Sequence, residues 1–190
     1  MANDDRLLAG EWPGGAQWEF FLASQVPDTG LCTTAACVAL RKLGLQHPEA
    51  TEVVLTYNPA GRGTASPGSW EMPGGHIDPL DPTDPDGPKE TPERAVVREA
   101  REEAGYIVAS LALFGYRRVT NPPGSRYPEL SYTPFYVATT EQPLQTPNDP
   151  ENPPACGTFR LDSLRRLALA GAIQADELAI IEWGIATCHQ

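Results

Sequence analysis

Three glutamates, Glu99, Glu102 and Glu103, stand at i, i+3 and i+4 in the stretch REAREEAG (98–105). On a helix that spacing brings their carboxylates to one face. Like charges so placed cost a helix roughly 0.2–0.5 kcal/mol per pair, so something outside the helix is expected to balance them. A divalent cation would do this, because Mg²⁺ and Mn²⁺ take hard oxygen ligands and share a site among a few carboxylates, waters and substrate phosphates. The plainer alternative is a solvated acidic face neutralised by nearby arginines.

The helix that must carry these acids has clear ends. Thr91 is placed as N-cap and Pro92 at the first helical position, where its missing N–H is not needed. Gly105 is placed to end the helix in a left-handed conformation. Between them Val96, Val97, Ala100 and Ala104 form an apolar arc beside the acidic one, with Arg94, Arg98 and Arg101 beyond it. Upstream, WEFFLAS (18–24), TTAACVAL (33–40) and TEVVLTY (51–57) read as strands. Residues 79–90 carry proline at every third position and read as a surface loop. Downstream, residues 107–119 and 130–140 read as strands, and Pro134 places the second at a sheet edge or a bulge. Two helices close the chain. The first runs over 162–170, capped by Asp162 and ended by Gly171, and the second over about 175–187 with Leu178, Ile181 and Ile185 toward the core.

A chain of 190 residues with 41% apolar content suffices for one domain with a real core. A net charge of −11 argues against broad contact with nucleic acid or anionic lipid. No apolar run approaches the ~20 residues of a membrane span, and no secretory signal opens the chain. Cys32, Cys37, Cys156 and Cys188 show neither CxxC spacing nor disulfide-scaffold density, so a reduced, cytoplasmic setting is expected; a Cys32–Cys37 disulfide is the alternative.

The run ETPERAVVREAREEAGY (90–106) resembles the signature of the Nudix hydrolases. Glu90 stands seven residues ahead of Arg98, Ala100 and Tyr106 fall on the apolar positions, and WEMPGGHID (70–78) looks like the strand and Gly-Gly turn that open the signature. The family's opening glycine stands five residues before its first glutamate, whereas fourteen separate Gly75 from Glu90 here. A nine-residue insertion within 79–88 accounts for the difference.

The resemblance implies an α/β fold, a Nudix-like α/β/α sandwich with a mixed β-sheet between helices. It divides the chain into an N-terminal extension, 1–30, and a Nudix domain, 31–190. The extension is expected to add a strand, as such segments sometimes do at a homodimer interface in this family. By resemblance Glu99, Glu102 and Glu103 bind Mg²⁺ or Mn²⁺ with the Gly75 carbonyl, Glu90 and Arg98 brace loop and helix, and Gly74 and Gly105 support the site. Independently, a Gly-Gly turn lets carbonyls approach a cation without a Cβ in the way, and Arg98 can fork onto a carboxylate. Glu102 or Glu103 is the candidate general base, with Glu129, Glu141 and Glu151 as suppliers from other loops.

Other residues carry weaker signals. Arg117 and Arg118 are candidates to steer substrate phosphates. Tyr127, with the aromatic strand Tyr132, Phe135 and Tyr136, is a candidate to stack on a base, although core packing is the expectation for Phe135. Trp70 is expected beside the Gly-Gly turn, and His76 near the site but exposed. Asp78, Asp81, Asp84 and Asp86 offer a further cation site or a lid, against the simpler reading of a solvated loop.

The implied reaction is metal-dependent attack of water on a diphosphate bridge, splitting a nucleoside diphosphate from another moiety. The rival class is a Nudix-fold module that binds a nucleotide or sugar nucleotide without cleaving it. An isomerase on the same fold would need more cysteine or histidine near the acids than His76 alone.

Overall fold

The computed structural model describes residues 6–12, 14–42, 51–59, 68–125, 127–140, 144–147 and 155–188. Nine strands among them form one mixed sheet: β1 (Arg6–Glu11), β2 (Gln17–Leu22), β3 (Thr34–Lys42), β4 (Thr51–Asn58), β5 (Ser69–Glu71), β6 (Gly74–His76), β7 (Ser110–Thr120), β8 (Leu130–Thr140) and β9 (Ala155–Phe159). The order is β1-β2-β7-β8-β3-β4-β5, with β6 also on β3 and β9 also on β4. Only β3 and β8 run parallel; the other pairs are antiparallel.

Alternation along β3 builds the layers. Cys37 and Ala39 point to one face and pack with Ala95, Val96, Ala100 and Ala104 of α1 (Pro92–Ala104). Val38 and Leu40 point to the other and pack with Leu164 of α2 (Leu161–Leu169) and with Ile180 and Ile181 of α3 (Ala175–Thr187). Burying each such branched side chain stabilises the fold by roughly 1.5–3 kcal/mol. Helices therefore cover both faces of the sheet, an α/β/α sandwich.

Helix α1 begins and ends at the residues its sequence marks. Thr91 Oγ1 accepts the Arg94 amide, and Gly105 has φ of 61°, donating to Arg101 O at 3.0 Å. A Cβ on Gly105 would stand 1.9 Å from Gln145 O, so the position requires glycine twice over. Tyr106 is fully buried, its hydroxyl 2.6 Å from Leu40 O and 2.9 Å from Ala138 O, which ties the helix end to β3 and β8.

Several expectations change. Val97 is 43% exposed while Ala95 is buried, because the buried stripe is centred between Val96 and Ala100. Pro134 lies in central strand β8, opposite Tyr116 and one residue from the register shift at Leu113/Gly115 of β7. The bulge thus sits in the partner strand and the edge alternative falls. Asp162 is in the first turn of α2, whose N-cap is Arg160. In α3 the fully buried residues are Ile180 and Ile181, with Leu178 and Ile185 partly buried. The N-terminal segment adds two strands, and β2 pairs with β7 along its length. Cys32 and Cys37 are separate buried thiols, so the disulfide alternative falls. Among the described residues no helix is long and apolar enough to cross a membrane.

Candidate active site

The acidic helix meets β6 at its glycines. Glu103 Oε2 accepts the Gly74 amide at 3.0 Å. A Cβ on Gly74 would stand 2.6 Å from Ala35 O, and one on Gly75 would stand 2.2 Å from Glu99 Oε1. Two successive glycines therefore let this short strand lie between β3 and the acids: a side chain at 74 would strike the β3 backbone, and one at 75 would push the Glu99 carboxylate aside.

Arg98 organises the rest. Its Nη1 donates to Glu99 Oε1 at 2.8 Å and to Glu102 Oε2 at 3.2 Å. Its Nη2 donates to Glu90 Oε1 at 2.7 Å and to the His76 carbonyl at 2.9 Å, and pairs with Asp78 Oδ2 at 3.1 Å. Nε reaches the same Glu90 oxygen at 3.2 Å, so the fork closes on one oxygen rather than two. Burial alone would lower the Arg98 pKa, but hydrogen bonds and charge from Glu90 and Glu99 outweigh it and hold the guanidinium well above its ordinary value. Burial also raises the Glu99 carboxyl, against the pull of Arg98.

The insertion does not separate Gly75 from Glu90. Pro79 pairs with Lys89, Leu80 N donates to Pro88 O, Glu90 N donates to Asp78 O, and Asp78 N donates to Glu90 Oε1 at 3.1 Å. These bonds pinch the base of the loop, so the added residues project while Glu90 returns to Arg98. Of its aspartates only Asp78 lines the neighbouring cleft. Asp81 instead accepts from the amide and hydroxyl of Thr83.

That cleft, of about 1280 Å³, runs from the acids and Gly-Gly strand over β3, β8 and β7 to the β1–β2 turn. A model of the NUDIX domain matches residues 43–183. The chain belongs to the Nudix family. No curated protein sequence matches it. Solved structures share the fold. A mutant of the Bacillus subtilis pyrophosphohydrolase BsRppH aligns with a TM-score of 0.55 at 17% identity, over 80% of this chain and 77% of that one. A NUDIX hydrolase from Nitrosomonas europaea aligns with a TM-score of 0.52 at 21% identity, over 82% and 90% respectively.

The Nudix acids do not yet converge on a point. Among the described residues no three His, Cys, Asp or Glu side chains are grouped to hold a metal, because Arg98 stands between Glu99 and Glu102 while Glu103 turns to Gly74. The donor set nonetheless fits a hard dication: three carboxylates on one helix, against a glycine backbone held clear of any Cβ.

The two arginine candidates part company, as neighbours on a strand must. Arg117 lines the cleft, buried, with Nη2 3.0 Å from Asp176 Oδ2. Arg118 points to the opposite face, where Nε donates to Glu19 Oε2 at 3.0 Å, and is not brought to the cleft. Tyr127 lines the cleft and is exposed. Phe135 is buried at its floor, whereas Tyr132 and Tyr136 pack on the α1 side, Tyr136 donating to Glu93 Oε1 at 2.8 Å. Trp70 packs on Tyr57 and Phe159 rather than on the glycines, since its strand pairs with β4. His76 is exposed and contributes its carbonyl to Arg98. Glu129 is exposed and lies outside the cleft lining; Glu141 and Glu151 fall outside the described residues.

Two further acids at the start of α3 belong to the site without any spacing that marks them. Glu177 is only 4% exposed, lines the cleft and accepts the Met72 amide at 2.5 Å, fixing the entry to the Gly-Gly strand. Asp176 anchors Arg117. Acids in a first helical turn are common, so neither stands out before folding brings residues 72 and 117 beside them.

Proposed function

We propose that this Nudix protein is a divalent-metal-dependent pyrophosphohydrolase that cleaves the diphosphate linkage between a nucleoside and a second moiety. Family membership carries the coarser statement, a hydrolase of phosphoanhydride bonds. The single observation behind the finer one is that Glu99, Glu102, Glu103, Arg98 and Gly75 all line one end of a cleft of about 1280 Å³, large enough for a nucleotide derivative.

Glu99, Glu102, Glu103 and the Gly75 carbonyl would hold Mg²⁺ or Mn²⁺. Bound there, the ion would screen the diphosphate, orient it and lower the pKa of a water. The chain's own residues do the rest. Glu90 and Asp78 hold Arg98, and Arg98 holds Glu99 and Glu102 at the cleft wall. Glu103 fixes the glycine strand through Gly74. Glu102 or Glu103 accepts the proton of the attacking water. Glu177, through Met72, keeps β6 in register with the helix.

In this reading residues 1–30 form an extension to a Nudix domain over 31–190, the assembly is a homodimer and the setting is the cytoplasm. The substrate is a small nucleoside diphosphate derivative, not a nucleic acid polymer. Purified protein should release a monophosphate from at least one member of a panel of nucleoside triphosphates, ADP-ribose, dinucleoside polyphosphates and sugar nucleotides, with Mg²⁺ or Mn²⁺ and not with chelator. No turnover on any of them would favour a binding module on the same fold.

A further inference from the structure

The far end of the cleft from the acids holds a feature that phosphate chemistry does not use. Trp12 lies in the β1–β2 turn, lines the cleft and keeps 37% of its surface exposed. It is nevertheless firmly supported. The Arg117 guanidinium sits 5.4 Å from the Trp12 ring centre, 4.8 Å from that of Trp18 and 5.4 Å from that of Phe135, and Asp176 fixes its far side. The two indoles stand 6.4 Å apart with their planes tilted by 33°. Trp18 in turn lies across Gly10, where a Cβ would come within 2.6 Å of its ring.

We propose that Trp12 is the nucleobase platform of this enzyme: the base of a nucleoside diphosphate derivative stacks on its indole while the diphosphate lies at Glu99, Glu102 and Glu103. The inference rests on the function proposed above. Three relations carry it. The ring is held by a buried cation and a second indole, so it loses little freedom when a base stacks on it. Hydroxyls stand along the wall between the ends: Ser131, Thr133 and Thr34 line it, with Thr34 Oγ1 2.6 Å from Thr133 Oγ1, suited to ribose hydroxyls. The span also fits. From β7, which carries Arg117 beneath Trp12, three strand pairings lead through β8 and β3 to the Gly-Gly strand. At the usual spacing that is about 14 Å, comparable to the reach of a nucleoside diphosphate from its base to its second phosphorus. Stacking uses the π face that every base has, so bases should be weakly discriminated.

The test measures binding of AMP and of ribose 5-phosphate, which lacks the base, by calorimetry and tryptophan fluorescence, with KM on whichever nucleotide the protein turns over. AMP should bind and quench the wild type. Trp12→Ala should weaken AMP roughly 5- to 150-fold, raise KM more than it lowers kcat and leave ribose 5-phosphate binding unchanged, and Trp12→Phe should restore most of the loss. Three results would each overturn the platform: no AMP binding to an active wild type, an unchanged AMP affinity in folded Trp12→Ala, or an equal loss for both probes. Conversion of a dimer to a monomer by Trp12→Ala with AMP affinity intact would reassign the ring to an interface. A wild type that turns over no nucleotide and binds neither probe defeats the hydrolase reading together with the platform; the other outcomes leave that reading standing.

Discussion

The Glu103 carboxylate accepts the amide hydrogen of Gly74, 29 residues earlier in the chain, at 3.0 Å and so joins the acidic helix to β6. Glutamine retains an oxygen able to accept that bond but not the charge a cation or a proton requires. Glu103→Gln should therefore melt close to the wild type and lose at least ~10²-fold in turnover. Steady-state rates beside thermal melts decide it. A wild-type rate would remove Glu103 from the site.

Adjacent glycines should respond differently to alanine. At Gly75 the added methyl meets the end of the Glu99 side chain, at 2.2 Å, and a carboxylate can swing aside. Gly75→Ala should fold with little loss of stability yet drop turnover at least ~10-fold, because Glu99 leaves its place. At Gly74 the methyl meets Ala35 O at 2.6 Å and Ala36 Cα at 2.7 Å, and backbone cannot swing aside. Gly74→Ala should lower stability by about 1–3 kcal/mol, read as a urea midpoint shift. Equal stability losses in the two variants would contradict the assigned contacts.

Arg98 is the cation shared by Glu90, Glu99, Glu102 and Asp78. Removing it in Arg98→Met leaves four carboxylates without their shared cation and should cost about 1.5–3 kcal/mol, the range for hydrogen bonds to charged groups. Arg98→Lys keeps the charge but cannot reach Glu90 and Glu99 at once, so its loss should be smaller. Because a dication would serve the same acids, part of the Arg98→Met loss should return in Mg²⁺. Denaturation in Mg²⁺ and in EDTA tests this, and identical losses in both would count against a shared cation.

What the sequence made legible follows from range. Helix α1 was readable to the residue because Thr91, Pro92 and Gly105 act within one turn of its ends. Strand period says that Arg117 and Arg118 cannot serve one cleft together, but which of them faces it depends on β2 and α3, distant in sequence. Val97 and Ala95 exchanged roles because helical period leaves the centre of the buried arc to whatever packs on it. For Pro134 a local rule leaves edge and bulge both open, and the bulge in β7 is what admits it to the sheet interior. The insertion's pinched base and the Trp12–Arg117–Asp176 arrangement join segments no spacing rule connects.

Stability should fall on the alkaline side. Burial pushes the Cys37 thiol up to about 12, with Glu103 adding to it, and the Cys32 thiol up to about 11, with Asp28 and Glu93 adding to it. Burial likewise raises Tyr106 and Tyr136 well above the ordinary phenol value. These groups stay protonated in the folded chain at pH values where the unfolded chain releases their protons. Their contribution is therefore complete below an ordinary thiol pKa of about 8.5 and is lost as pH rises toward 11 and 12, with the tyrosines joining above about 10. Each group that has titrated only in the unfolded chain steepens the decline by roughly 1.4 kcal/mol per pH unit. Urea midpoints between pH 7.5 and 10.5 should decline accordingly, and Cys37→Ala should be flatter than the wild type between pH 9 and 10. A wild-type profile that stays level to pH 10.5 would mean that these side chains meet water in the folded protein.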